Sequence, residues 1–406
     1  MSSVDPALQC TSRGAVVLRV FRSSLYRFGA IGVAASVLMS CQSQTPVSQQ
    51  PLELPPSLST SQSVLNIATP YGHNEILLSG KSGPYWALVS FNSTTHGTEF
   101  ITPPGVSTRG GIAVATNGAG DIVAGIHAYQ SLLISPIYLS TTNGKSWSTA
   151  EINYPLSPIT RAIALTQNTV YAAVSQRQGS DFIVRSSLPN MSSFSKIQSP
   201  PGLRKVVAIY GYSGGVLALY RGASTKTMYE ASYSSATGNW TSYGKVPRAI
   251  HGASIVTSSA GSETAATCTE AGQSSGSVTL AVRVLSSSTP TSTLETLPST
   301  TSASSFLGCS PLEVKPTLSV AVWSKAGKGR VQVSLISSPT SGASLDSYLL
   351  PSLGNGTPEF LSLKGGLFLY DGSSKGVELR DLSNSTNFSS TINGVLAYVF
   401  KQVRAN

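Results

Sequence analysis

The chain has 406 residues, enough for one large domain or two ordinary ones, and its formal net charge is +10. Only 11% of the residues are charged, and serine, threonine and glycine are abundant. This composition is typical of many short strands joined by turns, and it argues against a mainly helical protein.

The N-terminal 40 residues have the pattern of a targeting segment. Four arginines precede an apolar run, Phe28–Ser40, that is too short to span about 30 Å of hydrocarbon as a stable anchor. We therefore predict a signal peptide over residues 1–40, with a short buried helix as the alternative. The run ends in Leu38-Met39-Ser40-Cys41, which resembles the lipobox of bacterial lipoproteins. That resemblance implies acylation of Cys41 and anchoring to the outer side of a bacterial membrane, at the cell surface or in the periplasm.

The segment after Cys41 is rich in glutamine, serine and proline and has no apolar periodicity. We interpret residues 41–62 as a flexible tether and residues 63–406 as one folded domain. Removal of residues 1–40 leaves 23 basic and 16 acidic side chains, a net charge of +7.

An eight-residue turn recurs along the folded part. The copy Ser140–Trp147 contains Asn143-Gly144, a strong hairpin signal because both residues tolerate a positive φ. Related turns follow or precede it at a spacing of 47 residues: Ser93–Phe100, Ser187–Phe194 and Ser234–Trp240. Repeats of this length are typical of propeller blades.

Each repeat contains four strand-like runs. In the second repeat these are Leu132–Leu139, Trp147–Tyr154, Arg161–Thr166 and Thr169–Ser175. The other full repeats cover Tyr85–Tyr129, Asp181–Arg221, Thr227–Thr269, Ser277–Trp323 and Arg330–Asp371.

Half-repeats remain at the two ends of the domain, Ser63–Ser79 and Gly376–Phe400. Joined in one sheet, they would complete a further blade and leave no open seam. We therefore predict an all-β protein, a seven-bladed β-propeller closed by pairing of N- and C-terminal strands. A six-bladed propeller with irregularly packed ends is the alternative.

The recurrent frame Ser-x-x-x-Gly-x-x-Trp resembles the Asp-box (BNR repeat) of sialidases and of many exported propellers. The family has Asp at the third position, where this chain has residues such as Thr142, Thr95 and Pro189. The resemblance implies a structural role for the turn and core packing for its aromatic. The catalytic set of sialidases is not found, and Val184-Arg185-Ser186 does not replace their Phe-Arg-Ile-Pro motif.

Basic residues fall mainly in the connections predicted for the face opposite the recurrent turns. Arginines precede the third strand in four consecutive repeats: Arg109, Arg161, Arg204 and Arg248. The guanidinium fork suits carboxylate, sulfate or phosphate, so a ring of these residues would bind an anionic ligand or an acidic protein surface. A merely solubilising rim is the alternative. Nucleic acid is a poor candidate partner for an exported lipoprotein.

Cys268 and Cys309 are 41 residues apart, close to one repeat, so neighbouring blades could bring them into a disulfide. Two buried free thiols are the alternative. The four histidines and the cysteines lack metal-ligand spacing, and no cofactor fingerprint occurs, so neither a metal nor a cofactor is predicted.

These observations favour a monomeric, non-enzymatic binding or scaffold module. A divergent sialidase-like glycoside hydrolase or a polysaccharide lyase is a second hypothesis, although no catalytic residues can be assigned and the 16 acids are scattered. A structural cell-envelope lipoprotein without a discrete ligand is a third.

Overall fold

The computed structural model describes residues 64–387 apart from the following segments: 72–74, 83–84, 102, 104–111, 118–119, 127–133, 155–158, 177–178, 223–226, 247–249, 258–262, 271–277, 286–290, 298–305, 315–316, 327–329, 339–345, 351–358, 364–365, 374–375 and 383–385. Among the described residues, no helix has the length and apolar character needed to cross a membrane.

All regular secondary structure in the described residues is β-strand. The strands form four-stranded sheets, and within each sheet neighbouring strands are consecutive in the chain. Sheet 1 contains β1 (Val64–Tyr71), β2 (Glu75–Ser82), β3 (Tyr85–Asn92) and β4 (Thr98–Phe100); sheet 2 contains β5 (Ile112–Thr116), β6 (Ile122–Ile126), β7 (Ile134–Ser140) and β8 (Ser148–Asn153); sheet 3 contains β9 (Ile159–Leu165), β10 (Thr169–Ser175), β11 (Phe182–Ser187) and β12 (Ser195–Lys196); sheet 4 contains β13 (Lys205–Tyr212), β14 (Gly215–Arg221), β15 (Met228–Ser234) and β16 (Trp240–Val246).

The remaining strands repeat this arrangement. Sheet 5 contains β17 (Ile250–Thr257), β18 (Glu263–Glu270), β19 (Val278–Val284) and β20 (Thr291–Leu297); sheet 6 contains β21 (Phe306–Val314), β22 (Thr317–Ala326), β23 (Arg330–Ser338) and β24 (Asp346–Leu350); sheet 7 contains β25 (Glu359–Leu363), β26 (Gly366–Ser373), β27 (Gly376–Asp381) and β28 (Thr386–Asn387). The paired strands are antiparallel, as short connections require.

The first strands of the sheets lie against one another in cyclic order. Each of β1, β5, β9, β13, β17 and β21 contacts the first strand of the next sheet, and β25 contacts β1. Such contacts between the first strands of successive sheets are typical of a β-propeller, in which those strands lie nearest the central axis. This arrangement confirms the predicted all-β β-propeller.

The ring closes differently from the prediction. The first two strands were expected to share a sheet with the strand near residue 377, but β2 pairs with β3, and β27 pairs with β26. Each sheet thus begins two strands later than the repeat frame. The ends instead meet through packing of β1 against β25, β26 and β27. The predicted run Val395–Phe400 lies outside the described residues.

Apolar residues fill the spaces between neighbouring sheets. One core cluster joins sheets 2 and 3 through residues such as Ile137, Val170 and Val174. Another joins sheets 3 and 4 through residues such as Tyr171 and Tyr220. All five side chains are buried. Because side chains alternate along a strand, β10 supplies both clusters, one from each face.

The recurrent turn is held together by hydroxyl groups. In the copy between β7 and β8, Gly144 N donates to Ser140 Oγ at 2.8 Å, and Ser146 N donates to Thr142 Oγ1 at 2.8 Å. The Thr142 hydroxyl therefore supplies an acceptor within the turn. Asn143 and Gly144 have φ values of 55° and 79°, and a Cβ at Gly144 would lie 2.5 Å from Ile101 Cβ at the end of sheet 1.

Three of the aromatics that end these turns pack towards the preceding sheet. Trp147 packs on the cluster between sheets 1 and 2, Phe194 on that between sheets 2 and 3, and Trp240 on that between sheets 3 and 4. Trp240 Nε1 also donates to Gln198 O, in the segment that follows β12, at 2.6 Å. These three aromatics therefore join neighbouring sheets.

A disulfide links Cys268 in β18 to Cys309 in β21, with the two Cα atoms 6.2 Å apart. Both residues are fully buried, and they lie in neighbouring sheets. In the chain-entropy account, closing a loop of this length stabilises the fold by about 4 kcal/mol.

Candidate functional site

The connections of the propeller fall on two opposite faces because consecutive strands are antiparallel. We call the face with the links between third and fourth strands, such as residues 141–147, the turn face. The face where first and third strands begin is the rim face. Arg161 in β9 and Arg204, which directly precedes β13, both lie towards the rim face and are exposed. Arg109 and Arg248 lie outside the described residues.

Arg161 takes part in a hydrogen-bond network inside sheet 3. Its Nε donates to Ser175 Oγ, and the Ser175 hydroxyl donates to Asp181 Oδ1. Ser175 and Asp181 are both buried. One donor of Arg161 is therefore used to hold the network, and the exposed side chain keeps its charge at the rim face.

Asp181 extends this network to sheet 4. Its Oδ2 accepts a hydrogen bond from Val206 N at 2.9 Å, and its own N donates to Arg204 O at 2.9 Å. Arg204 N in turn donates to Arg221 O at 2.9 Å. The structure thus brings the chain around Arg161 and Arg204 to one junction between sheets 3 and 4, with Asp181 between them.

The buried acids among the described residues are spread over three sheets. The buried acids there are Asp181, Glu230 and Asp381, which belong to sheets 3, 4 and 7. Asp181 faces β13, whereas Glu230 lies on the opposite face of β15 from Ala231 and Tyr233, which pack towards sheet 3. The described residues also contain no group of three or more His, Cys, Asp or Glu side chains that could hold a metal.

A polar pocket of about 360 Å³ opens on the turn face of sheet 3. Its lining consists of hydroxyl groups, one amide and one guanidinium: Thr169, Arg185, Ser186, Ser187, Asn190, Ser192, Ser193 and Ser195. Arg185 is half-buried and is directly opposite Tyr171 on one side and Ser195 on the other. The pocket therefore has one positive charge among neutral polar groups.

Tyr171, the cross-strand partner of Arg185, is fully buried. Burial raises the pKa of the Tyr171 hydroxyl, and the charge of Arg185 and its hydrogen bond to the hydroxyl act in the opposite direction. The Tyr171 ring makes an edge contact with Tyr233 of sheet 4, with centroids 6.4 Å apart. Arg185 is thus directly opposite a phenol that packs between two sheets.

Sequence reasoning did not find this pocket, although the third repeat carries a signal of it. The turn Ser187–Phe194 lacks the Gly of the other copies and contains Leu188-Pro189. Strand β12, which follows it, has two residues, whereas the corresponding β8 and β16 have six and seven. Because the turn is irregular and the outer strand is short, the end of β11 beyond Arg185 has no strand paired with its outer edge. The predicted lipid site, Cys41, lies outside the described residues.

No protein-family model matches the chain, and no curated protein does. Solved structures do match it. A structure from a study of two prolyl endopeptidases superposes with a TM-score of 0.51 and 11% identity over 81% of this chain, and the chain spans about half (48%) of that protein. An uncharacterized protein from Listeria monocytogenes gives a TM-score of 0.49 and 12% identity, with 83% of this chain and 97% of that one covered.

The SapL1 lectin, solved with alpha methyl fucoside, gives a TM-score of 0.40 and 10% identity, with 70% of this chain and 96% of that one covered. At such low identities, a structural likeness concerns the fold and says nothing about ligands or activity.

Proposed function

We propose that this protein is a non-enzymatic binding module, anchored by a lipid on Cys41 to the outer side of a bacterial membrane, that recognises an anionic glycan or an acidic protein surface. The observation that carries the proposal is the junction of sheets 3 and 4, where exposed Arg161 and Arg204 flank a carboxylate that is turned inward.

The charge balance at this junction supports an anionic partner. Asp181 is buried, and both of its oxygens accept hydrogen bonds from within the protein. The two arginines are exposed and therefore contribute the charges that an approaching ligand meets. Arginine forms two parallel hydrogen bonds with carboxylate or sulfate, which adds orientation to the attraction.

All seven four-stranded sheets are, in this proposal, blades of one seven-bladed propeller. The hydroxyl-capped turns and their inter-sheet aromatics support a relation to Asp-box propellers, with Thr142 in place of the Asp. Arg109 and Arg248 would extend the basic row to the neighbouring blades. A glycoside hydrolase remains a hypothesis without an assigned carboxylate pair.

Charge reversal at Arg204 tests the rim-face assignment. The Arg204→Glu variant should bind dextran sulfate at least about fivefold more weakly, the change that about 1 kcal/mol produces. Its binding should also depend less on salt, because one charge contact is lost. The measurement is a titration of the wild type and the variant at several salt concentrations, with uncharged dextran as the reference polymer.

Lys145→Glu provides the matched control, because Lys145 is equally exposed but lies in the recurrent turn on the opposite face. We expect this variant to bind dextran sulfate almost as well as the wild type. Equal weakening by both variants would show a response to net charge alone and would contradict a rim-face site.

The lipid anchor has a separate test in the full-length chain. Cys41→Ser removes the acceptor for acylation, so the variant should be released from the membrane fraction or stay unprocessed. Metabolic labelling with a palmitate analogue, followed by fractionation, measures both results. Continued labelling and membrane retention of Cys41→Ser would refute the lipobox interpretation.

A further inference from the structure

The pocket on the turn face of sheet 3 is built around a cross-strand row. Arg185 of β11 is flanked by Tyr171 of β10 and Ser195 of β12, and Thr169 is directly opposite Ser187 one step nearer the turn. Alternation along the strands places these five side chains on one face of the sheet. Across the three strands, the Arg185 guanidinium therefore lies between the buried Tyr171 phenol and the exposed Ser195 hydroxyl.

The chemistry of the lining selects for a particular kind of ligand. Small-molecule pockets of about 300–1,000 Å³ are usually mostly apolar, whereas the groups lining this one are hydroxyls, an amide and a guanidinium. No carboxylate is among the lining residues. The pocket therefore offers a charged donor fork for one oxyanion and neutral donors and acceptors for hydroxyl groups.

The local backbone keeps this surface accessible. Strand β12 pairs with β11 only at Val184 and Arg185, so the outer edge of β11 beyond Arg185 has no strand beside it. Leu188 N donates to Asn168 O at 2.9 Å, which ties the irregular turn to the neighbouring hairpin. The turn is thus held beside the pocket by its own hydrogen bond.

We infer that this pocket binds the anionic group of a small, hydroxyl-rich molecule such as an acidic monosaccharide, with Arg185 on the carboxylate or sulfate and the serine hydroxyls on the sugar. The site is on the opposite face from Arg161 and Arg204, so it is distinct from the proposed rim-face interaction and does not depend on it.

The test uses the full-length protein with D-glucuronate, D-glucose and sodium sulfate as probes, and ligand-observed NMR titration as the measurement. We expect saturable binding of glucuronate at least tenfold tighter than that of glucose, and competition by sulfate. Arg185→Gln should weaken glucuronate binding at least tenfold, whereas Lys145→Gln, which removes an exposed positive charge outside the pocket lining, should leave it unchanged. If Arg204→Glu abolished glucuronate binding and Arg185→Gln did not, glucuronate would bind at the rim face, and the proposed pocket site would be refuted.

A second variant covers the case in which Arg185→Gln disturbs Tyr171. Ser193→Trp places a large side chain in the pocket from an exposed position, without replacing Arg185 or Tyr171. It should also abolish glucuronate binding while the melting temperature stays within a few degrees of the wild type. Unchanged binding in a folded Ser193→Trp variant, or no saturable binding of glucuronate and sulfate to the wild type, would refute the site.

Discussion

Replacing Gly211 with alanine is expected to lower the free energy of unfolding by about 3 kcal/mol, at the upper end of the cost of overpacking a core. A Cβ at this position in β13 would lie 2.4 Å from Leu165 O and 2.9 Å from Leu165 C of β9. Both are backbone atoms of a neighbouring first strand, so side-chain rotation cannot relieve the contact. The measurement is the urea midpoint and slope of the purified variant.

Gly97→Ala is the control for this prediction. Gly97 is exposed, and its added Cβ would approach only the Thr95 side chain, at 3.2 Å. The expected change is within about 0.5 kcal/mol, as for most surface substitutions. Similar stabilities of the Gly211→Ala variant and the wild type would mean that β9 and β13 do not approach as closely as the structure has them.

Replacing Asp181 with alanine is also expected to cost about 3 kcal/mol, because buried donors lose their acceptor. Val206 N and the Ser175 hydroxyl both donate to this carboxylate. The same change disconnects Arg161 from sheet 4, so we expect the junction between sheets 3 and 4 to open first. Hydrogen exchange of the Val206 amide measures that opening directly, and thermal unfolding measures the total loss.

Asp181→Asn separates hydrogen bonding from charge. The amide keeps one acceptor oxygen for Val206 N or Ser175, so its loss should be smaller than that of Asp181→Ala. Glu151→Ala is the control for removing an acid, since Glu151 is exposed in β8. Equal effects of Asp181→Ala and Glu151→Ala would leave the network without a role in stability.

The strands were predictable because apolar runs and turn residues are local properties. The predicted fourth run, Thr169–Ser175, matches β10 at both ends, and the others of that repeat differ from β7, β8 and β9 by at most two residues at either end. Asn143-Gly144 adopts the positive φ values that its sequence favours. A repeat at constant spacing then makes a ring of sheets the expected result.

The grouping of strands into sheets was not predictable from the repeat. A repeat has no natural beginning, so the frame that starts at Leu132 and the frame that starts at Ile159 fit the sequence equally well. Local pairing decided between them, since β2 and β3 form a hairpin and leave no half-sheet at the N-terminus. The N- and C-terminal strands therefore do not share a sheet, and the first and last complete sheets pack against each other.

The sequence by itself determined that this protein is all-β, built from a repeated four-strand unit with hydroxyl-rich turns, because strand period and turn chemistry are encoded within a few residues. Only the tertiary structure decided that Asp181 joins the neighbourhoods of Arg161 and Arg204, and that Arg185 lines a polar pocket directly opposite buried Tyr171. Those contacts join residues from different strands or sheets, and their geometry depends on register and on the packing of sheets, which no local pattern specifies.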